Sequence, residues 1–522
     1  MSTTKPRVVI KFGGTSVTNL NAWTNIKNII EHHLSQGTQL ILVCSAPQHT
    51  SDNLQQLLTQ AAQGDDYTTL LTTIKNRYRT LCHDLDVDPS ISFQPTWEQL
   101  ERCIQGVALL NDTSPKNQAK VMAFGELLLT KIAGQHLIQQ GITTQWMHAG
   151  SCLHTQEQPT ATLTNRYLSA LCESDYDQSA VDHINTYNAD VIITQGFIAH
   201  NDAGEIVLLG RGGSDISAAY FAAKLNSQLC EIWTDVPGIY TTNPQSAPEA
   251  RHITQLTYDE AQEIALMGAQ VLHPRTIAPL QKHAIPLSIR HTKNPHREGT
   301  NICNTVNNAP VVKAVSVNRN VILLSIEALS MWQKSGFLAD IFACFKLHDL
   351  SIDLISTSQS NVTLSLDIKA TLLDPALLEK LVTDLKHFAR VKVISPCDTI
   401  SIIGSQVRKV LYQINDIFLL FRTIGVHLVS QASNDLSFTI VVDEEHADRL
   451  SQLIHDMIIE NSITQGCFGL SYAHEFSPKT TQHNEWWQTK SRQLQKKAQG
   501  NTPIYLYNHE TIHQPGKSLP NW

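Results

Sequence analysis

Between about residue 310 and residue 460 the chain repeats itself. Val321–Ile326 reads as a strand, Gly336–His348 as a helix, Ser351–Thr357 and Val362–Asp367 as a hairpin. A helix at Pro375–Phe388 and a strand at Val391–Ile394 complete the unit. The order then recurs: strand Thr399–Ile403, helix Val407–Thr423, strands Val426–Gln431 and Leu436–Val442, helix Glu444–Glu460. Asp353-Leu354-Ile355-Ser356 and His427-Leu428-Val429-Ser430 hold the same place in the two copies. Repetition of a βαββαβ unit predicts two tandem ferredoxin-like modules, at 310–397 and 398–470.

Residues 1–305 have a different texture. Strand-like runs (Val8–Phe12, Gln39–Cys44, Val191–Gln195, Glu231–Thr234, Ile285–Ile289) alternate with helical stretches such as Lys120–Gln140 and Asp215–Leu225. That alternation predicts an α/β domain with a mainly parallel sheet sandwiched by helices, and a helix-rich insertion packed on the sheet between Asp52 and Asp112. A hydrophobic fraction of 42% in 522 residues supplies the cores. A net charge of −8 gives no general attraction to nucleic acid or to anionic membrane. No run nears the roughly 18 apolar residues of a membrane span, and Met1–Arg7 lacks the pattern of a secretory signal. Ten scattered cysteines without a CxxC pair predict reduced thiols, no metal site and a cytosolic setting.

Four segments carry the candidate chemistry. Lys11-Phe12-Gly13-Gly14-Thr15-Ser16-Val17 follows a strand, and two glycines let backbone N–H groups come close to phosphate oxygens. Lys11 would neutralise charge on a transferring phosphoryl group, although a plain Gly-Gly turn reads the same way. Gly210-Arg211-Gly212-Gly213-Ser214-Asp215 opens a helix whose positive end suits anions. Arg211 can grip a carboxylate with its fork, and Asp215 can serve chemistry or cap the helix. In Trp233–Pro244 a strand ends at Thr234, Pro237-Gly238 turns the chain, and Tyr240 either lines a purine pocket or packs the turn. Phe124-Gly125-Glu126 leads a long apolar helix, where Glu126 either caps or holds an ammonium group. Two Gly-rich turns, each with a cation, point to phosphoryl transfer.

Together with Gly268-Ala269-Gln270-Val271-Leu272-His273-Pro274 and the repeated modules, these segments resemble the aspartate kinases of the amino-acid-kinase superfamily, over residues 7 to about 460. The resemblance implies a three-layer α/β/α sandwich followed by two regulatory ACT modules. It also implies transfer of phosphate from ATP, with Mg²⁺, to the β-carboxylate of L-aspartate, at the head of lysine, threonine and methionine synthesis. Carried over, Lys11 binds the transferring phosphate, and Gly13, Gly14, Thr15 and Ser16 line its pocket. Glu126 holds the substrate ammonium, Arg211 its α-carboxylate, and Ser51 a further substrate contact. Ser214 and Asp215 complete the acidic end, with Asp215 organising Lys11 or metal-linked water, while Thr234, Asp235, Tyr240 and Gln270 line the nucleotide site.

The sequence departs from the family at four places. Gln270 and Gln245 replace basic residues that meet ATP phosphates, and His148-Ala149-Gly150 replaces Asp-Ala-Arg. The loop Ser45-Ala46-Pro47-Gln48-His49-Thr50-Ser51 lacks the family's glycine and offers Ser51 in place of a threonine. The alternative to a feedback-regulated kinase is therefore a catalytically weakened amino-acid sensor on the same fold. Phe337, Leu338, Asp353 and Ser358 resemble the effector pocket of lysine-inhibited members, so lysine is the expected effector and a homodimer through the ACT modules the expected assembly. The tail, 471–522, resembles a linker and the first strand, Thr502–Tyr507, of diaminopimelate decarboxylase. With no room for the barrel that carries a Schiff-base lysine, no decarboxylase activity is expected.

Overall fold

The computed structural model describes residues 5–156, 161–268, 271–306, 310–327, 335–368, 375–414, 424–459 and 466–476. The strands are β1 (Arg7–Phe12), β2 (Gln39–Cys44), β3 (Thr144–Trp146), β4 (Val191–Gln195), β5 (Ile198–His200), β6 (Ile206–Leu208) and β7 (Leu229–Thr234). They continue with β8 (Ile239–Tyr240), β9 (Arg251–Ile253), β10 (Gln255–Thr257), β11 (Leu287–His291), β12 (Thr300–Cys303) and β13 (Val312–Glu327). The last are β14 (Ile355–Thr357), β15 (Asn361–Asp367), β16 (Arg390–Gly404), β17 (Val426–Gln431), β18 (Ser437–Asp443) and β19 (Phe468–Ser471). The helices are α1 (Leu20–Ser35), α2 (Thr50–Gln63), α3 (Thr68–Asp84), α4 (Pro89–Ser92), α5 (Gln94–Leu110), α6 (Pro115–Gln139), α7 (Leu163–Leu168) and α8 (Gln178–Asn185). Then follow α9 (Gly213–Lys224), α10 (Tyr258–Leu266), α11 (Ile277–Lys282), α12 (Phe337–Leu347), α13 (Pro375–Lys386), α14 (Glu444–Ile459) and α15 (Tyr472–Phe476).

The first domain is built on an eight-stranded sheet in the order β10-β12-β11-β7-β1-β2-β4-β3. Its central strands are parallel. Leu40 to Cys44 and Val191 to Gln195 are buried at every successive position, which requires helices on both faces of the sheet. That explains the continuous apolar runs in the sequence. The helix-rich segment after residue 50 packs chiefly through α2 and α5 on α6, and α6 in turn lies on the sheet, all sharing one core. The strand predicted from Ile285 begins at Leu287.

The second part of the chain is built on one antiparallel sheet in the order β14-β15-β13-β16-β18-β17. The second half of β13 pairs with β15 and with the first half of β16, while Val312–Asn318 pair with Thr399–Gly404. Each module thus has four strands, but the fourth strand of the second is Val312–Asn318, which precedes the first module in the chain. The boundary drawn at 397/398 passes through the middle of β16. The register shifts where the modules meet, at Asn318–Val321. There Asn320 takes a left-handed φ of 62° and donates its N–H to buried Asp398 (3.0 Å). Each module buries its own core: Phe337, Ile341, Phe345, Leu381 and Leu385 in one, Leu450, Ile454 and Ile458 over Ile400 and Ile440 in the other. The strand after α14 does not close the second module. β19 instead adds to β9 of the first domain. The predicted strand from Ser351 shortens to Ile355–Thr357, only Val407–Ile414 of the predicted helix Val407–Thr423 falls among the described residues, as a 3-10 run, and the tail from 477 lies outside them. Among the described residues no helix is long and apolar enough to cross a membrane.

Candidate active site

β1, β2, β4 and β7 all end on the same edge of the sheet, and the chain reverses its winding between β1 and β7. Such a crevice at the carboxyl ends of parallel strands is where open α/β sheets bind ligands. Lys11 stands near the end of β1, almost fully buried. Its Nζ lies 2.5 Å from Asp215 Oδ1, off the hydrogen-bond axis, as an ion pair in a nearly dry setting. Asp215 is in the first turn of α9 behind Gly212, so its carboxylate faces Lys11 and does not cap the helix.

The glycines earn their places here by contact. A side chain on Gly14 would come 2.7 Å from the Ala46 carbonyl, and one on Gly13 would sit 3.5 Å from Lys11 Nζ. Gly210 and Gly212 have φ of 79° and 65°, a region that other residues enter at a cost. The Gly13 amide binds the Trp233 carbonyl and the Ser16 amide binds Gly13, whereas those of Gly14 and Thr15 open a 3-10 turn with no acceptor among the described residues. Ser16 is buried, its hydroxyl 2.7 Å from that of Thr292, so it ties the loop to the end of β11.

Glu126 lies in the interior of α6, which begins at Pro115, and therefore is not a cap. It is 3% exposed. Oε1 accepts the Ala46 N–H at 3.0 Å, and Oε2 has no partner among the described residues. Burial pushes its carboxyl up to about 7. Gly125 lets α6 approach this closely, because a side chain there would come 2.8 Å from Ala46 Cβ. Ser51, in the first turn of α2, is partly exposed, while its neighbour Thr50 is buried against Gly125. Arg211 is exposed, and Ser214 packs against Gly196 after β4.

Two residues that sequence reasoning passed over belong to this edge. His273 is close enough to Asp215 and Arg211 for both to act on its charge, and its ring occupies the space a side chain on Gly212 would need. Phe197 holds a left-handed φ of 69°, its N–H bound by Ser217 Oγ (2.9 Å), and backs Gly213. His273 stood inside a quoted motif; for Phe197 a lone aromatic after Gly196 gave no local signal.

Thr234 ends β7 with its carbonyl bound to the Thr292 N–H (2.9 Å), and Asp235 is exposed, accepting from the Thr234 hydroxyl (3.2 Å). Tyr240 lines a cavity of about 490 Å³ together with Pro237, Gln245 and Val271, and Val317 and Tyr472 close it from the antiparallel sheet and the C-terminal segment. Gln270 lies outside the described residues. The effector candidates divide. Phe337 is buried in the first module, Leu338 is exposed, and the Ser358 hydroxyl is used by its own turn, accepting from Asn361 N–H (3.1 Å). Asp353 precedes β14, its N–H on the Ser365 carbonyl (3.1 Å); solvent still reaches it, yet partial burial and then Asp367 push its carboxyl up to about 6. Away from these sites, Cys397, His427 and Asp443 bring donor atoms within 4.8 Å of one another, with His427 Nε2 bound to Asp443 (2.8 Å).

Residues 6–291 match the model of the amino acid kinase family. The lysine-sensitive aspartokinase 3 of Escherichia coli is 30% identical over 460 residues, covering 87% of this chain and 99% of the relative. The chain belongs to the amino acid kinase family, among its aspartokinases. Crystal structures of E. coli aspartokinase III share the fold: its complex with aspartate and ADP has a TM-score of 0.73 at 29% identity, covering 87% of this chain and 99% of that one. Its complex with lysine and aspartate has a TM-score of 0.70 at 29% identity over 86% and 99% of the chains.

Proposed function

We infer that this aspartokinase transfers the γ-phosphate of ATP to the β-carboxylate of L-aspartate. The observation that carries the reading is the pairing of a buried Lys11–Asp215 ion pair with an unpartnered buried carboxylate oxygen, Glu126 Oε2, on one edge of the sheet. The relative crystallised with aspartate and ADP supports it, because this chain spans 99% of that protein. Glu126 Oε2 accepts the substrate ammonium, which favours the ionised carboxylate that burial disfavours in the free protein. Arg211 takes the α-carboxylate, with Ser51 and Ser214 on the flanks. The β-carboxylate, ionised at neutral pH, needs no general base. One of its oxygens forms the new O–P bond as the bond from Pγ to the bridging oxygen breaks, and that electron pair leaves with ADP.

Lys11, held by Asp215 beside Gly13, balances charge on the moving phosphoryl group, and the amides of Gly14 and Thr15 add donors. Thr234, Asp235, Tyr240 and Gln270 form the nucleotide side, and magnesium arrives as MgATP, carried by the phosphates. Lysine is the effector, drawn to the Asp353–Asp367 pair, whose mutual repulsion an ammonium group relieves. The working form is a cytosolic homodimer joined through the ACT modules. The test is aspartate-dependent ADP release with hydroxylamine trapping of the acyl phosphate, with and without lysine. Lys11→Ala should lower kcat by roughly a thousandfold, a loss typical of a phosphate-neutralising cation. ATP turnover that ignores aspartate would overturn the reading.

A further inference from the structure

Nothing in the catalytic motifs accounts for the C-terminal return segment. After the second module the chain crosses back to the first domain, and its final described stretch, Phe468–Phe476, is fixed there by contacts of three kinds. β19 adds to β9, Phe468 opposite Ile253 and Ser471 opposite Arg251. The Tyr472 and Ala473 amides then bind the carbonyls of Ala250 (2.8 Å) and Pro248 (2.9 Å). Finally Glu475 forms an ion pair with Arg297 and accepts the Tyr240 hydroxyl at 2.7 Å, with both partners mostly shielded from solvent. The Tyr472 ring meets the Tyr240 ring edge-on, 5.8 Å between centroids.

These contacts converge on one place, the loop after β7. Tyr240, assigned above to the nucleotide side, and Tyr472 both line the cavity of about 490 Å³, a size ordinary for a small-molecule pocket. Val236, Ile264, Val271 and Val317 form its apolar part, while Thr242, Asn243, Gln245, Ser316, Asn318 and Arg319 add polar groups. A cavity with an apolar part, polar groups and two tyrosine rings on its border fits a flat heteroaromatic base, which gains from stacking on a ring and has nitrogens for the polar groups. Tyr240 ends the short strand β8 with its ring 5.6 Å from that of His252, and its hydroxyl donates to Glu475 (2.7 Å) while accepting from Arg297 (3.3 Å), so Glu475 supplies one of the contacts that set the ring.

We propose that the C-terminal segment completes the nucleotide site, with Tyr472 as a wall for the base and Glu475 as a positioning residue that sets Tyr240. The proposal rests on reading this cavity as the nucleotide side of the kinase.

The full chain tests it. ADP binding is measured by calorimetry, and KM for ATP, KM for aspartate and kcat by turnover, for the wild type, Tyr472→Phe, Tyr472→Ala and Glu475→Gln. Tyr472→Ala should raise the ADP Kd and the ATP KM by roughly tenfold or more, the loss of one base–aromatic contact. Tyr472→Phe should stay near wild type, since the ring and not the hydroxyl forms the wall. Glu475→Gln should raise the ATP KM several-fold. In all three kcat and the aspartate KM should move less than about twofold, a split that general destabilisation does not produce. Wild-type ADP binding with unchanged Kd in Tyr472→Ala overturns the proposal and leaves the kinase reading intact. A wild type that binds no ADP overturns both. Should Tyr472→Ala fail to fold, hydrogen exchange in the wild type decides: ADP should slow the amides of Tyr472 and Ala473, and unaltered exchange there overturns the proposal.

Discussion

Glu126 is the residue on which the proposed substrate recognition turns. Its carboxyl is raised to about 7 because burial removes solvent while only one oxygen has a donor. In the free protein near neutrality about half the molecules carry it protonated, and only the ionised form attracts an ammonium group. The kcat/KM for aspartate should therefore climb about tenfold per pH unit below 7 and level off above it, while the ATP KM stays flat. Glu126→Gln should remove that rise along with most of the activity. A pH-independent kcat/KM from 5.5 to 7.5 in the wild type would sink this role. Lys11, Gly14 and Asp215 were legible from sequence because each belongs to a short motif beside its own strand or helix. Glu475 and Tyr472 were not, since their partners Tyr240 and Arg297 are far away in the chain and no local pattern announces such a meeting. The capping reading of Asp215 failed because sequence places helix starts only to within a residue or two, and that of Glu126 because α6 begins eleven residues earlier, at Pro115.

At the scale of elements, the turn after β2 shows how the fold keeps a shape after losing the residue that usually makes it. His49 stands where the aspartate kinases carry a glycine, and it keeps a left-handed φ of 65° at the start of α2. His49→Gly should relieve that strain, and the unfolded-state entropy of glycine should offset it, leaving thermal stability within about 1 kcal/mol of wild type and aspartate turnover undiminished. Gly14→Ala should behave differently. Its Cβ would meet the Ala46 carbonyl at 2.7 Å, backbone against backbone, so the β1 and β2 loops must part. A stability loss on the order of 1–3 kcal/mol and a much larger fall in kcat than in aspartate affinity are expected, read by denaturant melts and steady-state kinetics. His148, standing where the family pattern has Asp, accepts the Gly150 N–H at Nδ1 (3.1 Å), and Gly150 leaves room for the His200 ring. Strand positions in the first domain were readable because both faces are buried and the apolar runs are unbroken. The exchange of Val312–Asn318 into the second module was not, because a strand's sequence records which faces are buried and not which neighbour it pairs with.

Taken as a whole, the molecule sets groups of opposite sign against each other in its response to acid. Burial lowers His148 and His252 to about 4, so in the window from about 6.5 down to 4 the unfolded chain binds their protons and the folded chain does not. Those two histidines make stability fall as pH falls through that window. Glu126 acts the other way. Its folded pKa of about 7 lies above the ordinary carboxylate value, so between about 4.5 and 7 the folded chain holds a proton the unfolded chain has released, and stability falls as pH rises. Glu126→Gln deletes this second contribution and leaves the histidines unopposed. The difference in unfolding free energy between Glu126→Gln and wild type should be near its minimum below pH 4.5. It should grow by about 1.4 kcal/mol per pH unit through 5 to 6.5 and level off above 7, a total rise of roughly 3 kcal/mol in favour of the variant. Because every other titrating group is common to both proteins, urea melts across this range isolate the one carboxylate. A saturating amount of aspartate should then erase most of the difference by stabilising the wild type alone, since binding restores a partner to Glu126 and is coupled to folding by mass action. A difference curve flat with pH would mean that Glu126 is ionised in the free protein and already paired, and with it would go the account of how this aspartokinase recognises its substrate ammonium group.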